Sequence, residues 1–149
     1  MIRCKSGSDF CYTENDMNVM LSDVDILKTI GIDGFVFGAL DHEGKIDEDK
    51  CKQIIAAANP LPITFHRAFD VCSLSPNDAL EKIVLLGFKR ILTSGKQNSA
   101  ENDEALALIK NLTSLSRNRI IIMPGSGIND KNVKKVLKTG VREVHASCL

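Results

Sequence analysis

Three observations predict an α/β protein whose strands all run parallel. Apolar runs centred on Ile2, Val36, Thr64, Leu92, Ile122 and Val144 recur at intervals of about thirty residues, the length of a strand–helix–strand unit. Amphipathic stretches with helix-cap signals lie between them. Polar residues gather just after the apolar runs, where parallel sheets carry their chemistry. Six strands alternating with five helices are expected. Two architectures satisfy that pattern, an open doubly wound sheet and part of a (β/α)8 barrel.

Taken in order, Met1-Ile2-Arg3 reads as the end of a strand, and Cys4 to Tyr12 has a loop composition. Thr13 is a helix N-cap with Asp16 three residues on, followed by Met17, Met20, Leu21, Val24 and Leu27 at helical spacing and closed by Gly31. Gly34 to Gly38 forms a continuous apolar strand. Asp47 caps the next helix, which Asn59-Pro60 stops. Pro60 and Pro62 press the chain toward extended conformations, and the β-branched and aromatic Ile63-Thr64-Phe65 follows as a short buried strand. Ser75-Pro76-Asn77-Asp78 is a strong helix start, and that helix ends at Gly87. Arg90 to Gly95 is a strand, and Ser99 to Leu115 a helix. Ile120 to Gly127 is a strand running into a glycine loop. A last helix, capped at Asn129 or Asp130, ends at Gly140, and Val141 to Ser147 is the final strand.

Length and composition bound the rest. The 149 residues suit one domain with a real core, spanning 1–149. Hydrophobic residues make up 44% and charged residues 26%, ordinary globular usage. Zero formal net charge argues against nucleic acid as a partner. The chain shows neither an apolar run of membrane-spanning length nor a leader pattern, so no membrane association is expected and the cytosol is the default location. Five scattered cysteines, none in a CxxC pair, signal neither a zinc site nor a redox motif and read as reduced thiols.

The stretch from Pro60 to Asp70 organises the chemistry. Thr64, His66, Arg67 and Asp70 crowd the far end of a greasy strand. His66 is open to three readings: a hydrogen-bonded structural residue, an acid/base, or a metal ligand. Arg67 reads either as a structural partner of Asp70 or as an anion clamp, since its planar fork suits carboxylate and phosphate. Gly125-Ser126-Gly127 is either a tight turn or a backbone cradle for an anion. Glu143, His145 and Ser147 alternate onto one face of the last strand.

Met1-Ile-Arg3, Asp33 to Leu40, Pro60 to Asp70, Leu92-Thr-Ser-Gly95, Met123 to Gly127 and Glu143-Val-His145 together resemble the CutC family, in its order and spacing from end to end. The resemblance implies a partial (β/α)8 barrel, here beginning at barrel strand three. It also implies a copper homeostasis role with Cu(I) binding, self-association as a homo-oligomer, and a cytoplasmic and partly nuclear location. Two loops depart from the family pattern. Met-Ile-Arg-Pro-Arg-Gly-Gly is here Met1-Ile-Arg-Cys-Lys-Ser-Gly7, and a triple glycine is here Gly125-Ser126-Gly127. The cysteines proposed as copper ligands in the family sit on its first two strands, which have no counterpart here.

Two functional readings follow. One is copper handling, for which Cys4 and Cys148 are the candidate thiols, since Cu(I) prefers soft ligands. The other is an enzyme or sensor for a small anionic molecule, a carboxylate or phosphate, at the barrel mouth. Its expected ligand-binding residues are Arg3, Thr64, His66, Arg67, Ser94, Gly125, Gly127 and His145, with His66, Arg67 and Asp70 as catalytic candidates.

Overall fold

The computed structural model describes residues 1–6 and 9–147. Four parallel strands, β1 (Phe35–Phe37), β2 (Ile63–Phe65), β3 (Arg90–Thr93) and β4 (Ile121–Pro124), lie side by side in chain order. Order without reversal excludes the doubly wound alternative and leaves the partial barrel. The register places Val36, Thr64, Arg90 and Ile121 across one layer of the sheet.

The expected first and last strands do not form ladders. Ile2 donates to Val36 O at 2.9 Å and His145 donates to Pro124 O at 2.8 Å. Those bonds place the two segments beside β1 and β4. Each has a neighbour on one side only, and one such bond does not make a strand.

Helices α1 (Glu14–Thr29), α2 (Glu48–Ala58), α4 (Pro76–Leu86) and α5 (Asp103–Ser116) fill the connections. Their starts follow the sequence. Thr13 and Asp16 form a reciprocal capping box, Asp47 accepts from Lys50 N–H, and Ser75 accepts from Asp78 N–H. Helix α5 starts at Asp103, four residues later than expected. A short α3 (Ala68–Val71), which the sequence reading lacked, follows β2 directly. Helix α6 (Val133–Leu137) also starts late, because Asn129 and Asn132 cap an intervening turn: Asn132 Oδ1 accepts from Asn129 N–H and Asn129 Oδ1 from Lys131 N–H.

Alternation decides which face of the sheet is core. In β3 and β4 the side chains of Ile91, Thr93, Ile122 and Pro124 are buried, while Arg90, Leu92, Ile121 and Met123 on the opposite face are half-buried. Phe35 and Phe37 join the buried side, with Phe65 packed edge-on against Phe88 at 5.1 Å. The helices cover that face, and the other is the concave interior of the partial barrel. Only β2 is buried on both faces. No helix among the described residues is long and apolar enough to cross a membrane.

Candidate functional site

Asp70 ties the exits of β2 and β3 together. It stands in the short α3, and its side chain is 6% exposed. One oxygen accepts from Thr93 Oγ1 at 2.5 Å, and the pair also takes Ser94 N–H at 3.0 Å and Lys96 N–H at 3.2 Å. The other oxygen accepts from Arg67 Nε at 2.8 Å. Helical i,i+3 spacing brings Arg67 and Asp70 together. Arg67 Nη2 donates to Ser94 Oγ at 3.1 Å, so two adjacent strand exits fix the guanidinium. Half-exposed at 44%, it keeps Nη1 without a hydrogen-bond partner among the described residues.

Beside it lies a cavity of about 250 Å³ lined by Arg67, Leu92, Ser126, Gly127, Ile128, His145, Ala146 and Ser147. Gly125 forms part of its frame: a Cβ there would lie 2.6 Å from Leu92 Cδ1 and 3.3 Å from His145 Cβ, so only glycine lets β4 and the last segment approach this closely. His145 and Ser147, expected on one face of a strand, both line the cavity, but so does Ala146 between them. Glu143 instead reaches across to Arg90, with Nε–Oε2 at 2.6 Å and Nη2–Oε1 at 3.0 Å. The arrangement thus joins Arg67, Ser94, Gly127 and His145. It does not supply an amide from Gly125, whose N–H donates to Thr93 O at 2.9 Å within the sheet.

His66, adjacent in sequence, occupies different surroundings. It is 3% exposed, with the Phe10 ring 4.6 Å away and Phe65 on another side. Its Nδ1 accepts from Ala68 N–H at 3.2 Å, while Nε2 is buried and unpartnered. Burial pushes its pKa down to about 4, with the Arg3 charge acting in the same direction. Gly38 leaves the room it needs: a Cβ there would lie 2.8 Å from His66 Nδ1. Thr64 lies one layer below on the same strand, buried, and lines no part of the Arg67 cavity. Arg3 donates to the carbonyls of Lys5 and Asp9 and stacks on Phe10 at 4.7 Å, which organises its own loop. Phe10 is the contributor that sequence reasoning missed; the short Asp9-Phe10 stretch carries no signal that its ring reaches β2.

Among the described residues the thiols do not converge. Cys4 Sγ donates to Asp16 Oδ1 at 3.5 Å, and burial together with that carboxylate raises its pKa. Cys11 Sγ donates to Asp41 O at 3.2 Å. Cys51 is buried and its thiol is pushed up to about 12 by desolvation. Cys72 is buried, and Cys148 lies outside the described residues. Among the described residues no three His, Cys, Asp or Glu side chains are grouped to hold a metal ion. Cu(I) wants converging thiolates, and these residues do not fit it.

Fold and site define a partial (β/α)8-barrel protein with a polar cavity at its strand exits. The CutC family model matches residues 1–149, and the chain belongs to the CutC family. It is 47% identical over 148 residues to a mouse copper homeostasis protein cutC homolog, covering 99% of this chain and 53% of that protein. A Klebsiella pneumoniae family protein CutC is 45% identical over 141 residues, covering 95% and 56%. The chain therefore spans about half the length of the curated relatives it matches. Among solved structures, a copper homeostasis protein CutC from Streptococcus agalactiae superposes with a TM-score of 0.92 at 33% identity, covering 99% of this chain and 70% of that one. A mandelate oxidase matches with a TM-score of 0.65 at 14% identity over 93% of this chain and 46% of that one, a likeness of fold alone.

Proposed function

We propose that the chain binds a small anionic molecule, a carboxylate or phosphate, in the cavity beside Arg67, and that this binding is its part in the copper homeostasis for which its relatives are named. The observation that carries the reading is the fixed guanidinium. Asp70 and Ser94 hold Nε and Nη2, and the side chain lines the cavity with one nitrogen unpartnered. An Arg held in place loses little entropy on meeting an anion, and a hydrogen bond to a charged group is worth about 1.5–3 kcal/mol. His145, Ser126 and Ser147 supply further polar contacts around it. Titration of the chain with inorganic phosphate and with propionate tests this. Arg67→Ala should weaken binding roughly tenfold or more with the circular dichroism spectrum unchanged. Equal affinity in wild type and variant would overturn the reading.

Direct Cu(I) handling through Cys4 and Cys148 is the second reading, supported by the relatives' name. Competition against a Cu(I) chelator should find only the affinity of isolated thiols. A tight stoichiometric site lost in Cys4→Ser or Cys148→Ser would restore it. Homo-oligomer formation and a cytoplasmic, partly nuclear location belong to the same proposal and rest on the family resemblance.

A further inference from the structure

Among the described residues two buried side-chain atoms lack a hydrogen-bond partner, Tyr12 Oη and His66 Nε2. Tyr12 stacks on Phe37, on the helix-covered side of the sheet. His66 is different, because its strand leads into the anion site. Extending the β2–β3 register by one residue sets His66 beside Leu92, and Leu92 lines the Arg67 cavity. The imidazole and the cavity-lining Leu92 thus stand at the same level on adjacent strands.

The tautomer follows from the hydrogen bonds. Nδ1 accepts from Ala68 N–H, so in the neutral ring the proton sits on Nε2, which is therefore a donor. Burial keeps the ring neutral at physiological pH. A ring in this state offers no free lone pair to a metal or to a substrate proton. That removes the acid/base and metal-ligand roles and leaves donation of one hydrogen bond.

Phe10 covers the position. Its ring is half-buried, lies 4.6 Å from the imidazole and has the Arg3 guanidinium stacked on it at 4.7 Å. Its backbone is anchored, since its carbonyl accepts from Leu40 N–H at 2.9 Å. Uncovering the imidazole therefore means swinging the Phe10 ring aside together with the guanidinium stacked on it.

We propose that His66 Nε2–H is a second recognition point of this site, donating to an acceptor oxygen carried by the same ligand whose anionic group Arg67 holds. The inference rests on the Arg67 reading above and narrows its ligand class. The ligand is a small acid with an additional oxo or hydroxyl oxygen, or a phosphate ester, in preference to a plain monocarboxylate. A site built around a buried donor rejects an analogue that leaves the donor unpaired.

Pyruvate and propionate, alike in size and charge and differing by one oxo oxygen, provide the test. Titrated into the full chain, pyruvate should bind roughly tenfold tighter. Nitrogen-15 spectra of the His66 ring should show the Nε2 proton shifted downfield by pyruvate and unmoved by propionate. His66→Phe should bring the two ligands to within about twofold of each other. Phe10→Ala, a second variant that leaves β2 untouched, should tighten pyruvate several-fold. Equal wild-type affinities with an unmoved Nε2 signal would overturn the inference and leave the Arg67 reading standing, provided Arg67→Ala weakens both ligands. Absence of saturable binding, or binding indifferent to Arg67→Ala, would overturn both.

Discussion

Two polar clusters stand at the strand exits, one around Asp70 and one around Cys4, and they are built differently. Asp70 gathers donors from Arg67, Thr93, Ser94 and Lys96 across two strand exits. Cys4 has one long contact to Asp16, which already serves the Thr13 capping box. The carboxylate network holds an arginine in a fixed pose at a cavity. The thiol cluster holds nothing in a shared position. The group held in a fixed pose at these strand exits is therefore a guanidinium, and the described sulfur atoms serve packing and local hydrogen bonds.

The largest way to break that contrast is to remove the network's centre. Asp70→Ala leaves the fully buried Ser94 N–H and Thr93 hydroxyl without their acceptor. A loss on the order of 3–5 kcal/mol is expected in urea unfolding, since each buried donor left unpaired costs about 1–3 kcal/mol. A smaller but still large effect comes from His66. The unfolded chain takes up a proton near pH 6.5 that the folded chain refuses down to about 4. Stability is thus complete above 6.5 and falls as pH drops through that window, by about 3 kcal/mol at roughly 1.4 kcal/mol per pH unit. The positive charges of Arg3 and the amino terminus act on the ring in the same direction as burial. Comparing unfolding at pH 7 and pH 4.5 in wild type and His66→Gln checks this: the variant should show a flatter profile. Cys4→Ser is the smallest, within about 0.5 kcal/mol in thermal unfolding. A drop of several kcal/mol there would erase the contrast between the two clusters.

Most of the scaffold was legible because its signals are local. Thr13, Asp47 and Ser75 announce their helices by side chains that reach no farther than three residues. The apolar runs at Val36, Thr64, Leu92 and Ile122 became strands because each pairs in register with at least one neighbour. Ile2 and Val144 read the same way in sequence and fell short, since ladder formation depends on neighbours that composition does not report. Helix α3 escaped notice for a similar reason: four residues cannot sustain a helix by propensity, and this one is secured through Asp70 to β3.

The site divided along the same line. Arg67 with Asp70 was visible as an i,i+3 pair, and His145 with Ser147 as alternate residues of one segment. Adjacency suggested that His66 and Arg67 share their surroundings; instead His66 is packed under Phe10 while Arg67 lines the cavity. The Gly-Ser-Gly loop suggested an amide cradle, yet Gly125 N–H continues the sheet. Phe10 over His66 is a contact between a loop and a strand distant in the chain, and no periodicity encodes it.

Gly38 gives the fold a further property. With hydrogen where any other residue has Cβ, it surrenders to the imidazole a volume that its own side chain would fill. Alanine there would crowd the ring by one methyl group against Phe65 and Phe10. In the layer of the sheet where His66 sits, the glycine just after β1 thus acts as a spacer, setting how deep the imidazole lies. The reach of a donor on one strand is governed by the absence of a side chain on the next.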